Sequence, residues 1–517
     1  MKLPTLILPI VMLVLLLAVP TRAAEPKPPF AMPTVTPPAF PNRTFSILDY
    51  GAVGDGKTLN TAAFAKAIAA CTAAGGGVVV VPRGVYVTGA VNLKNNVNLH
   101  LEAGAEIRGS ENFDDFLPPV LTRFEGLELY NYSPLIYALD CTNIALTGPG
   151  VINGSGHAWL NTAYAARTRI NVKIPVEKRL SLDREHPLRP SLVQPVRCTN
   201  VFLEGFTAVD SPMWNISPMY CENLVIRGLQ MINKGHNGDG IDPDSCRNII
   251  IEDCTLDTGD DCIAIKSGRD ADGRRVGIPS ENIIIRRIHT KRGHGAVTLG
   301  SEMSGGIRNV YAYDCDFDGT NVGLRFKTAR GRGAYIENAY YENIRMPKVT
   351  GTGIEFTCVY EKPNPAPVSE ATPRVRGIHF KNVICGAAWN AIEMIGISEL
   401  PMEDVTLEDV QIAGAVGARF SFIKNLSLRN VTVNLLAEKR KRKDPTFRFA
   451  SDAAYGFRDC ADVKLNHIAV GKDAPVFLDL RGAATANVRL ANTDVSVAAK
   501  DVVFLEGAKA EVLQREK

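Results

Sequence analysis

Asn200-Val201-Phe202-Leu203, Asn223-Leu224-Val225-Ile226, Asn248-Ile249-Ile250-Ile251, Asn282-Ile283-Ile284-Ile285, Asn309-Val310-Tyr311-Ala312 and Asn338-Ala339-Tyr340-Tyr341 are versions of one unit. Each is a turn residue followed by a short, mostly apolar strand. Successive turn residues lie 23, 25, 34, 27 and 29 positions apart. A recurring unit of that size is the signature of a solenoid. Further copies start at Asn143 upstream and at Asp404, Asn425, Asp462 and Asn487 downstream, and the pattern is visible from Asn95 onward. No helical segment separates the strands, and a propeller blade needs about 40 residues. The repeat therefore predicts an all-β chain, a parallel β-helix.

Outward from the repeat, Thr61 to Ala74 has helical composition, with Ala62, Phe64, Ile68 and Cys71 roughly on one face, and Gly75-Gly76-Gly77 ends it. This helix is expected to cap the N-terminal end of the stack, where open strand edges would otherwise template aggregation. Residues 24–44 are rich in proline and read as an exposed, extended leader. Residues 1–23 read as a signal peptide: Lys2, an apolar core over 5–19, and small residues around a cut after Ala23. The remainder, 45–517, reads as a single catalytic β-helix domain. The protein is expected to be exported, to a periplasm or outside the cell, and to be a monomer.

The chain has 58 Lys and Arg against 55 Asp and Glu, a net charge of +3. That balance gives no reason to expect nucleic acid or a membrane surface as a partner. The basic run Lys439-Arg440-Lys441-Arg442-Lys443 reads as a solvated loop. Eleven cysteines is an odd number. Cys141, Cys198, Cys221, Cys246 and Cys460 each stand two residues before a turn residue, and Cys254 and Cys315 each stand six after one. Equal phase in successive coils predicts a stack of small buried side chains rather than disulfides. There is no paired C-x-x-C spacing for zinc, and no metal or cofactor is expected.

Four clusters carry the chemistry: Asn237-Gly238-Asp239, Gly259-Asp260-Asp261, Gly293-His294-Gly295 and Arg325-Phe326-Lys327. Taken singly, each is an ordinary turn or surface strand. Measured from the turn residue of its own coil, however, Asp239 lies at 16, Asp260 and Asp261 at 12 and 13, His294 at 12 and Arg325 at 16. The four should share one wall of four consecutive coils, spanning about 15 Å at a strand spacing of about 4.8 Å. Carboxylates occupy the upstream coils and cations the downstream ones, with Lys266 and Arg269 between. Crowded carboxylates push one pKa upward and so set a proton donor beside an ionised base, the pairing that glycosidic hydrolysis needs. The cations suit a substrate that is itself acidic.

These clusters, together with GHGAVTLGS (293–301), GDDCIAIKSG (259–268) and DYGAVGDGKT (49–58), resemble the signature of glycoside hydrolase family 28, the polygalacturonases. The resemblance covers roughly residues 45 to 470. Gly238 stands where the family has Thr, and Phe326 where it has Ile. The resemblance implies a right-handed β-helix and an inverting hydrolysis of α-1,4-galacturonosidic bonds in an acidic polysaccharide or oligogalacturonide. Asp260 would be the general acid, with Asp239 and Asp261 activating water. His294 would tune the acid, and Asn237, Lys266, Arg325 and Lys327 would bind substrate. NYSPLIYA (131–138) and GSEMSGGIRNVYA (300–312) look like exo-acting members, and inserted loops at 113–130 and 270–279 offer to close one end of the groove.

Other readings remain at this point. The substrate is alternatively rhamnogalacturonan or another decorated pectin. A pectate lyase would use the same carboxylates for calcium, although it leaves His294 without a task. A non-catalytic carbohydrate-binding β-helix needs only the groove.

Overall fold

The structure, a computed structural model, describes residues 26–161, 167–361, 364–437, 452–471 and 474–516. The signal-peptide reading of residues 1–23 and the basic run 439–443 fall outside the described residues. The chain winds as a right-handed parallel β-helix. Strand Thr199–Glu204 pairs in parallel with Glu222–Arg227, that with Arg247–Glu252, then with Ser280–Arg286, Ile307–Phe317 and Tyr335–Met346. Within these strands the inward side chains align in register, as in Leu224–Ile249–Ile283–Val310 and Ile226–Ile251–Ile285–Ala312. All eight are buried. Each fully buried Ile or Leu contributes about 1.5–3 kcal/mol, so the stacked rows are the main source of stability.

The turn residues explain how each coil bends. Asn96, Asn143, Asn200, Asn223, Asn248, Asn282, Asn309 and Asn338 all take positive φ, between 55° and 59°. Asn tolerates this left-handed conformation better than other side chains. Each amide then donates to the one before it: Asn143 to Asn96 at 3.0 Å, Asn223 to Asn200 at 3.1 Å, Asn282 to Asn248 at 3.1 Å and Asn338 to Asn309 at 3.1 Å, with the intervening steps alike. The ladder starts at Asn96, one residue after the position from which the repeat is legible.

The cysteines form the expected stack. All eleven are buried and unpaired. Cys221 Sγ accepts from the Cys198 backbone N–H at 3.4 Å and Cys246 Sγ from that of Cys221 at 3.2 Å; Ser280 takes the same position in the next coil, at 3.1 Å.

The helix is present over Thr61–Ala73 and turns Ala63, Phe64, Ala67, Ile68 and Cys71 inward, against the strands Thr44–Ser46 and Gly77–Val81. Two segments differ from expectation. The proline-rich leader is not simply exposed: Met32, Val35 and Phe40 pack on the outward row Ala145–Phe202–Val225–Ile250, and Phe30 meets Tyr340. That row breaks the polar-out alternation of its strands, so it demands a cover. The insertion at 270–279 is not a loop throughout but contains a short helix, Asp270–Val276. The other insertion, 113–130, carries the antiparallel hairpin Val120–Phe124 and Leu127–Asn131. Among the described residues no helix is long and apolar enough to cross a membrane.

Candidate active site

The four clusters do meet on one wall. Gln230–Asn233, Thr255–Thr258, His289–Gly300 and Thr320–Lys327 are successive parallel neighbours. Asn237–Asp239 follows the first after a short turn, Gly259–Asp261 directly follows the second, Gly293–Gly295 lies within the third, and Arg325–Lys327 ends the fourth. Asp260 and Asp261 sit in the bend between Thr255–Thr258 and Ile263–Ile265. That bend frees the two neighbours from the alternation of a strand, which would aim them at opposite faces.

Glycines permit the close approach. A Cβ on Gly295 would stand 2.2 Å from Thr298 Oγ1 and 2.9 Å from Asp261 Oδ1; one on Gly293 would stand 2.5 Å from Cys262 Sγ. The departure at Gly238 has a similar cause. Its N–H closes a turn onto the Gly235 carbonyl at 3.0 Å, and a side chain would run into that carbonyl and the Asn233 amide. The turn that aims Asp239 is therefore tight. Phe326 points inward onto Phe356, with ring centroids 4.4 Å apart, and leaves its neighbours Arg325 and Lys327 on the outer wall.

Asp261 is fully buried and held by cations: Lys327 Nζ at 2.7 Å and Arg325 Nη1 at 3.5 Å. Burial works against its charge, but Lys327, Arg325 and Lys266 outweigh it and keep its carboxyl well below the usual carboxylate range. Asp260, a quarter exposed, is 3.3 Å from His294 Nδ1, which in turn lies 3.3 Å from Arg325 Nη1. Burial raises Asp260 too, but the His294 contact and Lys327 win, and its pKa stays below the ordinary value. Asp239 behaves in the opposite way. Burial first, then the charges of Asp242 and Asp260, push it well above the ordinary value, with Lys266 at 3.9 Å opposing.

One carboxyl of the crowded set is raised, at Asp239, but burial contributes more to it than the neighbouring charges do, and Asp260, the acid that the resemblance implies, is lowered. The reason is the imidazole and the cations, which stand on the Asp260 side of the row.

Asn237 does not simply face solvent: its Oδ1 accepts from Arg189 Nη2 at 2.8 Å, which pins the turn. Lys266 is buried, 3.1 Å from Glu302, with its ammonium 4.8 Å above the Trp214 ring. Burial disfavours its charge, but Glu302, Asp239 and Asp242 more than compensate.

Several members of the site carry no sequence signal. Asp242 is fully buried, three residues after Asp239, and burial pushes it well above the usual range. Strand bridges place it on the outward row that continues to Ala264, Thr298 and Arg325. Its spacing after Asn-Gly-Asp-Gly was available, but nothing distinguished it from Asp244, whose carboxylate is taken by Arg123. Glu125, Arg167, Trp214, Glu302, Tyr360 and Glu361 join Asn237, Asp239, Asp260, Lys266, Arg269, His294 and Lys327 around one cleft of about 310 Å³. They come from loops of unrelated spacing, so no repeat predicts them.

Asp260, Asp261 and His294 offer three ligand-type atoms within 4.8 Å of one another. The set does not fit a divalent cation, because Lys327 and Arg325 already neutralise Asp261 and would repel one.

Comparison with known proteins agrees with this geometry. The sequence model of glycosyl hydrolases family 28 matches residues 71–435. The chain belongs to glycosyl hydrolase family 28. A probable polygalacturonase of Vitis vinifera is 30% identical over 391 residues, 72% of this chain and 75% of its own. An exo-poly-alpha-D-galacturonosidase of Dickeya chrysanthemi is 30% identical over 365 residues, 64% of this chain and 59% of its own. Among solved structures, the hyperthermoactive exopolygalacturonase of Thermotoga maritima superposes with a TM-score of 0.72 at 38% identity, covering 77% of this chain and 93% of its own. This family 28 member is accordingly a glycoside hydrolase, and the wall just described is where its chemistry has to be sought.

Proposed function

We propose that the protein hydrolyses α-1,4-galacturonosidic bonds of polygalacturonate with inversion, removing units from a chain end. The observation that carries this reading is that Asp239, Asp260, His294 and Lys327 line one cleft, with the buried pair Asp261–Arg325 directly behind Lys327 and His294. Cations at the cleft wall favour a substrate that carries carboxylates, as a uronate does, over a neutral glycan. The relatives named above as exo-acting favour the end-directed mode, and so does a cleft bounded by the hairpin 120–131 and the loop after Thr352–Thr357.

In this reading Asp260 protonates the leaving glycosidic oxygen, while Asp239 and Asp261 hold the attacking water and take its proton. Burial and the neighbouring carboxylates favour the protonated form at Asp239 more than at Asp260, where His294 and Lys327 favour the charge. A bound uronate changes that balance: it excludes water from Asp260 and brings a further negative charge near it, and both effects raise a carboxyl pKa. The proton then moves to Asp260, and Asp239 becomes an ionised base of raised basicity. His294 holds the Asp260 carboxyl in place. The set titrates as a unit, so the pH profile belongs to the cluster rather than to one residue. Export is part of the same proposal and rests on the pattern of residues 1–23.

The test is a time course on polygalacturonic acid with Asp260→Asn as the blank, products separated by chromatography and their anomeric configuration followed by proton NMR. Monomer or dimer from the earliest point, released as the β-anomer, supports the reading. An early ladder of oligomers removes the end-directed mode. An α-anomer removes inversion, and an unsaturated product removes hydrolysis of this substrate altogether.

A further inference from the structure

Away from the catalytic row, one wall of the cleft is built from arginines that converge on a single loop carboxylate. Glu361 accepts from Arg269 Nη2 with both oxygens, at 2.8 and 3.0 Å. Arg332 Nη2 adds a third bond at 3.1 Å, and Arg167 Nη2 stands 3.7 Å away. Glu361 lines the cleft beside Tyr360, whose ring lies 5.5 Å from the Lys327 ammonium. Its side chain is 30% exposed, against 6% for Arg269 and 1% for Arg332. A part-exposed loop carboxylate thus sits on two buried guanidiniums, Arg269 and Arg332, with the part-exposed Arg167 at its edge.

Each of these arginines also owns another carboxylate partner. Arg269 Nη1 bonds Glu302 at 2.7 Å, Arg332 pairs with Asp270 and bonds the Ser301 carbonyl at 2.7 Å, and Arg167 pairs with Glu125. Lys266 shares Glu302. Loss of Glu361 would therefore leave no arginine bare, but it would take from Arg167, Arg269 and Arg332 a carboxylate that all three share. A planar carboxylate is the shape that a guanidinium fork accepts.

We propose that Arg167, Arg269 and Arg332 form a carboxylate-binding subsite of the cleft, that Glu361 fills it in the empty enzyme, and that a uronate carboxylate displaces Glu361 on binding. The inference rests on the reading that the substrate is a polyuronate. Glu361 then acts as an internal competitor. It keeps three guanidiniums satisfied and raises the apparent dissociation constant by the reciprocal of the fraction of enzyme in which the subsite is free of it. Neutral sugars gain no access by this route, so the exchange also selects for the acid.

The decisive experiment measures binding of galacturonic acid and of galactose by calorimetry to the Asp260→Asn protein, with and without Glu361→Ala, alongside kcat and KM on trigalacturonate in the active background. Removal of the competitor should tighten galacturonate binding and lower KM, on the order of tenfold, with kcat and galactose binding unchanged. Arg167→Gln should raise KM and leave kcat alone. Thermal midpoints of all variants report whether the fold is intact. Galacturonate binding that stays the same or weakens in the folded Glu361→Ala protein overturns the proposal, because Glu361 is then part of the wall or a partner of the sugar. If the unmutated protein fails to cleave polygalacturonate and yet Glu361→Ala tightens galacturonate binding, the subsite stands and the substrate reading falls.

Discussion

The Asn corner and the catalytic wall of this solenoid are built by the same operation, and they end in opposite electrostatic states. At the corner, Asn200, Asn223, Asn248, Asn282, Asn309 and Asn338 stack with hydrogen bonds of 2.9–3.1 Å. An amide carries donor and acceptor on one group, so identical side chains satisfy one another coil after coil. On the wall the stacked groups are carboxylates. Ionised carboxylates only accept, so like on like fails, and each must find a cation or keep a proton. Asp261 has found Lys327 and Arg325; Asp239 and Asp242 have found burial and each other. Repetition therefore stabilises one side of the molecule, and its failure makes the other side reactive.

Four perturbations break or sharpen that contrast. The largest effect is expected at Asp260, where Asn keeps the shape and removes the transferable proton. We expect kcat to fall by about 10²–10⁴-fold with an unchanged thermal midpoint, read by reducing-sugar release. Next comes Lys327→Met, which removes the nearer of the two cations on the buried Asp261 and leaves Arg325 at 3.5 Å. The loss should be about 3–5 kcal/mol in urea unfolding, and Asp261→Asn added to Lys327→Met should recover part of it. A full loss in the double variant would mean that the pair is not the source.

At the corner, Asn248→Ala removes one rung between Asn223 and Asn282 and forces Ala into the left-handed region. The cost should be about 1–3 kcal/mol, with no change in KM on substrate. The smallest effect concerns pH. The folded-state pKa of Asp242 is raised, so its penalty begins above the unfolded value of about 3.9 and grows until pH passes the folded value. Asp242→Asn should therefore gain stability over the parent as pH rises through the first unit above 4, by at most about 1.4 kcal/mol. Equal melting curves across that range would show that Asp242 is ionised in the fold. Asp261 has the opposite sign: its folded pKa is depressed, so its contribution is present above about pH 4 and is lost as pH falls through the folded value.

Much of this was legible from spacing. The Asn positions gave the solenoid, the phase of the cysteines gave the stack, and offsets of 12 to 16 residues put the four clusters on one wall. What was not legible lies in loops and in field effects. Arg167, Glu302 and Glu361 meet across separations of 59 residues and more, at no fixed distance from any turn residue. Crowding predicted one raised carboxyl without saying which, and only the family resemblance pointed to Asp260 as the acid; sequence shows which charges are near in register, but not which of them a histidine or a lysine actually touches. The leader was read as exposed because its own composition is that of a linker; the outward apolar row that it covers only becomes a row once Ala145, Phe202, Val225 and Ile250 are stacked.

The sequence by itself determined the β-helix and the sharing of one wall by Asp239, Asp260, Asp261, His294, Arg325 and Lys327. These follow from period, and period is a one-dimensional property. Only the tertiary structure decided which carboxyl keeps its proton, which cations are already spoken for, and how loops from distant coils close the cleft around Glu361. Those depend on distances of 3 to 4 Å between side chains remote in sequence, where burial and charge compete at similar strength and small displacements set the winner.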